Sequence, residues 1–337
     1  MILFLFTITL LISAAFTRHL CHPKTIVCIL DQPNERSLHT QPTPSTGGLA
    51  IILALTFASF LIQFIYPSEP IFVNISFSVL LIAGISLLDD WRHVAILQRL
   101  GIHFLAACLL LWANDFWLTA FVFPYFTWDL PLWMQIIFSI LFVMWMVNLY
   151  NFMDGMDGFA GGMAVFGFGT MALLGGLAGQ QLFMLLNLLV VAAVLGFLLF
   201  NFPPAKIFMG DLGASTLGFL AAAFILWAEQ QQLFSLWIGL LIFSPFIVDA
   251  TVTLLRRLLR GEKVWLAHKT HYYQRLVELG WGHKRTVLWE YGLMVLCSLS
   301  ATVSLFLPVY GQGIVLISWL FIYCGLIYFV SQLERST

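Results

Sequence analysis

The chain has 337 residues, of which 61% are hydrophobic and only 9% charged, whereas soluble domains carry about 25% charged residues. So few charges cannot cover so much apolar surface in water, which excludes a soluble globular protein and makes lipid the solvent for most of the fold. The net charge of −1 sums over two compartments and so says nothing about partners by itself; no nucleic acid is expected among them.

A membrane span needs roughly 20 apolar residues, and the sequence offers about eleven such runs, at 1–20, 47–66, 71–88, 99–114, 132–148, 159–178, 182–200, 212–228, 234–254, 286–307 and 312–330. The first is apolar from Met1 to Phe16 but lacks a basic leading region and a small-residue cleavage site, so it reads as a retained span and not a signal peptide. Between 99 and 131 the apolar run is broken by Asn114–Asp115 and by the stretch from Pro124 to Pro131, which leaves room for a second short or re-entrant segment. The cysteines (Cys21, Cys28, Cys108, Cys297, Cys324) show neither metal spacing nor a disulfide framework. The expected fold is one all-α integral membrane domain over 1–337.

The basic residues orient it. On this span map Arg18, Lys24, Arg36, Arg92, Arg99, Lys206, the group from Arg256 to Arg285, and Arg335 all fall on one side. The opposite loops hold only Glu69, Asp115, Asp129 and Glu229. The positive-inside rule makes the basic side cytoplasmic, with the N-terminus periplasmic and the C-terminus cytoplasmic. An error of one span would split the set.

Five cytoplasmic loops follow, at 21–46, 89–98, 149–158, 201–211 and 255–285, and each carries a polar cluster. The first runs from Asp31 through Arg36 and His39 to Gly47–Gly48; its prolines and glycines fix turns, and Arg36 and His39 can donate to phosphate, although an ordinary polar loop would look similar. The second holds Asp89–Asp90, then Arg92 and His93. Adjacent carboxylates repel unless a cation is near, so this is either a cation site or a pair of solvated interfacial acids. The third spaces Asn151, Asp154 and Asp157 three apart, on one helix face if helical. Hard oxygen donors of this kind suit Mg²⁺, and polar groups at membrane depth are by default functional. The fourth, Lys206 to Thr216, places Gly210–Asp211 where a helix opens, as an anion- or metal-binding start or as a simple cap. The fifth carries His268, His271 and Arg275 and suits an anionic, sugar-bearing ligand or anionic lipid; with no third soft ligand nearby, zinc does not fit.

In order and loop placement, "RSLHTQPTPSTGG", "LLDDWRHV", "NLYNFMDGMDGFAGG", "FMGDLGAST" and "HKTHYYQRL" resemble the motifs of the polyprenyl-phosphate N-acetylhexosamine-1-phosphate transferases, glycosyltransferase family 4. The resemblance covers about Asp31 to Arg285. It implies an Mg²⁺-dependent enzyme (Mn²⁺ as a substitute) of the bacterial inner membrane, active on the cytoplasmic face. Such an enzyme passes N-acetylhexosamine-1-phosphate from a UDP-sugar to undecaprenyl phosphate and releases UMP, with membrane lipid around it and a homodimer compatible with the sequence. By the same resemblance Asp211 and Asn151 are the metal ligands. Asp89, Asp90, Asp154 and Asp157 form the catalytic set, with Asp89 the usual base. Arg36, His39, His93, Lys206, His268, His271 and Arg275 are the substrate-binding candidates. The chain departs from the family at His93, at Ala214, where Ser215 would supply the missing hydroxyl, and in lacking a triple histidine, which argues against a MurNAc-pentapeptide donor and for the branch that starts O-antigen or related surface glycans. The competing class is a secondary transporter, whose acids would sit near mid-membrane on broken helices.

Overall fold

The computed structural model describes all residues except 23–24, 26–28, 35–36, 68–70, 93, 265–267 and 337, and leaves the side chains of 72 and 336 undescribed. The elements run α1 (Ile2–Leu20), β1 (Leu30–Asp31), β2 (Thr43–Pro44), α2 (Gly47–Ile65), α3 (Ile71–Arg92), α4 (Ile96–Asn114), β3 (Ala120–Phe123), β4 (Phe126–Asp129), α5 (Leu132–Phe152), α6 (Phe159–Leu177) and α7 (Gln181–Asn201). They continue with α8 (Gly210–Gln230), α9 (Leu236–Ile242), α10 (Ser244–Leu259), α11 (Tyr272–Leu276), α12 (Gly282–Ser304) and α13 (Val309–Ser336). Among the described residues ten helical stretches are long and apolar enough to cross a bilayer, and the bent pair α9–α10 brings the number to eleven. The expected all-α membrane fold is the one that forms.

Two stretches differ from the expected spans. The run expected at 234–254 breaks between α9 and α10 with a bend of 84°. Pro245 has no N–H to give the Leu241 carbonyl, and the Ser244 hydroxyl donates to that carbonyl instead, at 2.7 Å. After α4 the chain forms no further helix but a hairpin, in which Ala120 pairs with Asp129 and Phe123 with Phe126. Aromatic and β-branched residues suit a pleated, half-buried surface, and Phe121 seats its ring edge-on against Phe138 of α5 at 5.3 Å.

The helix that positions the site is α8. It is buried along nearly its whole length, packed among α2, α3 and α5. Helices in lipid associate through close packing and not through apolar burial, so small residues gather where they cross. At the α2–α8 crossing Gly48 faces Gly213, and a Cβ added to either would collide with the backbone of the other. The start of α2 is also tied to the start of α8, because the N–H groups of Gly47 and Gly48 donate to the carbonyls of Phe208 and Met209 at 2.9 and 2.8 Å. The first polar loop folds back through the β1–β2 pair, and Phe208 donates its N–H to Pro44 at 2.7 Å. The base of that loop is thereby moored to the start of α8.

Candidate active site

One end of the bundle holds a cavity of about 740 Å³ whose walls come from all five polar segments of the sequence. From the first come Asp31 and His39, from the end of α3 Asp89 and Asp90, and from the α5–α6 turn Asn151, Asp154 and Asp157. The α7–α8 turn adds Asn201, Gly210 and Asp211, and the last segment adds Gln274 and His283.

Local structure sets each side chain. Only residues 93–95 join α3 to α4, so α4 runs straight back and lays Arg99 on Asp89. Asp89 pairs with Arg99 through Oδ2 and accepts the Val94 N–H through Oδ1 at 2.7 Å. The same Arg99 nitrogen lies 3.2 Å from Asp211 Oδ2, so one guanidinium joins the end of α3 to the first turn of α8. Gly210 opens α8 with φ +75°, and a Cβ there would strike the Ser45 carbonyl oxygen; glycine alone fits this geometry. With the backbone so exposed, the first-turn amides stay open to acceptors. Asp90 meets those of Asp211 and Leu212, and Asp154 meets that of Gly210.

Asn151, in the last turn of α5, donates Nδ2 to Ser215 Oγ at 3.3 Å, which brings Ser215 to the site, and the same side chain meets the Asp211 carboxylate. Asp157 is engaged at both oxygens: Oδ2 accepts the Ala205 N–H at 3.0 Å and Oδ1 lies 3.0 Å from His283 Nδ1. Asn201 braces the same turn, accepting the Gly158 N–H at 3.0 Å and donating to the Ile207 carbonyl at 2.9 Å.

Six carboxylates (Asp31, Asp89, Asp90, Asp154, Asp157, Asp211) thus share one cavity, and the basic groups paired to them are His39, Arg99 and His283. Burial, together with the neighbouring Asp211 carboxylate, pushes the Asp154 carboxyl well above the usual carboxylate range. The group is therefore protonated in the folded protein at pH values where it would ionise in the unfolded chain. A raised folded-state pKa adds stability at low pH that is lost as pH rises through it. Asp154→Asn should accordingly raise the melting temperature of cation-free protein by a few degrees, roughly, near pH 8, with the gain shrinking toward pH 4. A melting series that is flat across that range would contradict it.

A hard cation suits this donor set. Among the described residues no three His, Cys, Asp or Glu side chains form a ready-made cage. Mg²⁺ does not require one: it keeps several waters and takes one or two carboxylates plus substrate phosphates. Asp211 with Asn151 fits that pattern.

The remaining expected site residues lie elsewhere. Arg36 and His93 fall outside the described residues. Lys206 is exposed on the α7–α8 turn and does not line the cavity. His271 is buried, with Nδ1 3.2 Å from Asp249 Oδ1, and Asp249 also accepts the N–H groups of Tyr272 and Tyr273 at 2.9 and 3.0 Å. Asp249 and His271 together fasten the start of α11, which delivers Gln274 to the cavity. His268 stands beside His271, ring centres 4.8 Å apart; burial first, then His271 and Arg257, pushes its ring down to about 4, so it is neutral at neutral pH. Arg275 pairs with Glu334 and covers the Tyr272 ring at 4.5 Å.

Sequence reasoning counted Arg99 only as a topology charge and passed over Asn201 and His283 as site residues. For Arg99 a signal existed: a very short connection after a helix ending in two acids returns the next helix onto them. For His283, 126 residues from Asp157 in the chain, there was none.

Comparison with known proteins points to a single family. The profile of glycosyl transferase family 4 matches residues 72–229. The chain is 32% identical over 277 residues to the probable undecaprenyl-phosphate N-acetylglucosaminyl 1-phosphate transferase of Bacillus subtilis, covering 81% of this chain and 76% of that protein. It is 29% identical to the decaprenyl-phosphate N-acetylglucosaminephosphotransferase of Mycobacterium leprae, covering 85% and 79%. With the phospho-N-acetylmuramoyl-pentapeptide-transferase of Staphylococcus saprophyticus it shares 31% identity, covering 75% and 82%.

Proposed function

This chain belongs to the polyprenyl-phosphate N-acetylhexosamine-1-phosphate transferases of glycosyl transferase family 4, and on that premise we propose that it passes N-acetylhexosamine-1-phosphate from a UDP-sugar to undecaprenyl phosphate and releases UMP. The observation that carries the reading is the gathering of six carboxylates, two of them (Asp90 and Asp154) against the first-turn amides of α8, in one cavity at one end of a membrane bundle. A transporter would hold its acids near mid-membrane on broken helices; among the described residues the one broken span, α9–α10, lines no part of this cavity. The charge asymmetry of the loops supports a cytoplasmic site in the inner membrane.

Two anions must meet for the reaction, so charge neutralisation and positioning dominate the barrier. Asp211 and Asn151 would hold Mg²⁺, with Mn²⁺ as a substitute, and the ion would supply positive charge to the diphosphate. The chain's own groups do the rest. An oxygen of the acceptor phosphate attacks the sugar-bearing phosphorus, the bond from that phosphorus to the bridging oxygen breaks, and UMP leaves with that oxygen. A phosphate monoester with a second pKa of about 6 is already mostly dianionic at neutral pH, so the attack needs no base. Asp89, held by Arg99 and the Val94 N–H, is placed to orient and not to abstract. The first turn of α8, with Asp90 and Asp154 against it, fixes the width of the slot in which the two phosphates meet.

The HKTH segment, where a MurNAc-pentapeptide enzyme would carry three histidines, and relatives named for N-acetylglucosamine transfer support an N-acetylhexosamine donor, including deoxy or amino forms. The role that follows from this reading is the start of a lipid-linked surface glycan such as O-antigen, for which the absence of a triple histidine speaks and the names of the relatives do not. The test is UMP release from purified protein with undecaprenyl phosphate and a panel of UDP-N-acetylhexosamines, with Mg²⁺ or with chelator. Release with one or more of them, abolished by chelator, is expected; no release with any donor would overturn the reading.

A further inference from the structure

The turn between α5 and α6 carries Asp154 and Asp157, and its residues 153–158 belong to neither helix. A segment without a hydrogen-bond ladder of its own takes its shape from what grips its ends. At the near end stands the Phe152 carbonyl, one of the last four of α5 and so without a partner inside the helix. The Tyr273 hydroxyl of α11 donates to it at 3.3 Å. The same hydroxyl abuts Gly155, where an added Cβ would collide with it. Tyr273 is fully buried, with its ring centre 4.8 Å from that of Phe159 and its N–H held by Asp249.

At the far end Gly158 opens α6 with φ +73°, and its N–H and carbonyl are both engaged. The N–H donates to Asn201 Oδ1 at 3.0 Å. The carbonyl accepts the Tyr291 hydroxyl of α12 at 2.6 Å as well as the Gly162 N–H at 2.8 Å. The Tyr291 ring lies along α6: an added Cβ on Gly162 would collide with it, and it meets Phe166 edge-on at 5.3 Å. Gly158, Gly162 and Phe166 follow at four-residue steps and so share one face of α6. Two tyrosine hydroxyls thus hold the two ends of one turn. Both come from beyond the stretch that the family profile matches, in which the turn itself lies.

We infer that Tyr273 and Tyr291 are positioning residues for the transfer reaction: they cap the carbonyls at either end of the α5–α6 turn and so set where Asp154 and Asp157 stand against the start of α8. Neither tyrosine lines the reaction cavity, so each acts through the turn. The inference rests on the transferase reading for the reaction it serves, but the grip itself is a property of the fold. It also gives the histidine segment a task. Asp249 and His271 fasten the start of α11, and Tyr273 passes that hold on to the turn.

The experiment has two arms, both on the detergent-solubilised full chain. Tyr273→Phe and Tyr291→Phe each keep the ring and remove one hydroxyl, so the melting temperature should fall by no more than about a few degrees. In hydrogen–deuterium exchange without substrate, each should speed exchange of the amides at 153–158 roughly fivefold, the scale of one hydrogen bond. The amides of α8 beyond its first turn should be unchanged. In the kinetic arm each should lower kcat about tenfold per folded enzyme, because a small misplacement is felt most in the transition state. KM for the UDP-sugar and for undecaprenyl phosphate should stay within about twofold. The two hydroxyls grip separate ends, so if one variant fails to fold the other decides. Unchanged exchange at 153–158 overturns the grip whatever the kinetics show. Faster exchange with an unchanged kcat overturns the positioning role, and so does a loss of turnover fully matched by a loss of folded protein. Faster exchange in a protein whose wild type turns over no UDP-sugar leaves the grip standing and removes the transferase reading instead.

Discussion

Asp211→Asn is expected to lower Mg²⁺-dependent UMP release by at least about 1,000-fold, the scale on which a metal site or preorganised charge supports a phosphoryl transition state, and to leave the fold intact. The substitution keeps the shape of the side chain and removes only its charge. In the ligand-free protein that charge is a burden, since Asp89 and Asp90 lie close enough to oppose it and Arg99, already paired with Asp89, is its nearest cation. The melting temperature should therefore hold or rise while activity disappears. The paired measurement is a thermal melt and a Mg²⁺ titration of turnover on the same preparation. Turnover near wild type would sink the assignment of Asp211 as a metal ligand, and a collapsed melt would recast it as structural.

Arg99→Met is the second large effect. One guanidinium stands against both Asp89 and Asp211 in partly buried pairs; truncating one member of a fully buried charged pair costs about 2–5 kcal/mol, much of it from the charge left behind, and a partly buried one falls toward the lower end. The expected loss is about 100-fold in kcat/KM, accompanied by a fall in melting temperature. Arg99→Lys keeps the charge but not the planar fork that reaches two carboxylates and should recover only part. The double variant Asp89→Asn with Arg99→Met removes the orphaned charge, so it should regain stability without regaining activity. If the double variant melts lower than Arg99→Met alone, the pair is not what holds α3 and α4 to α8.

Much of this is legible in the sequence. Span count, sidedness of the loops and the five polar clusters follow from solvation: charge is so costly in hydrocarbon that wherever it occurs it marks either an edge or a site. The cavity draws on the same segments because helices that pack in one bundle bring the loops at one end together. What stayed hidden depended on distance along the chain. Nothing in the sequence near Asp157 announces His283, and nothing near His271 shows that its ring faces Asp249 and not the cavity. Histidine reads the same whether it fastens a helix or faces a phosphate. The break in the ninth span lay between these cases: Pro245 is visible in the middle of the run, but an interior proline in a membrane helix is compatible with a kink as well as a break, and only the bend shows which applies.

The contact between Gly48 and Gly213 carries a consequence for how this molecule can vary. Gly48 directly follows the loop that walls the cavity, and Gly213 lies two residues past Asp211, so the closeness of their backbones sets the gauge between wall and floor. A single methyl group at either place, remote from any reacting atom, would widen that gauge by the thickness of a carbon. The dimension on which the chemistry depends is machined by two hydrogen atoms.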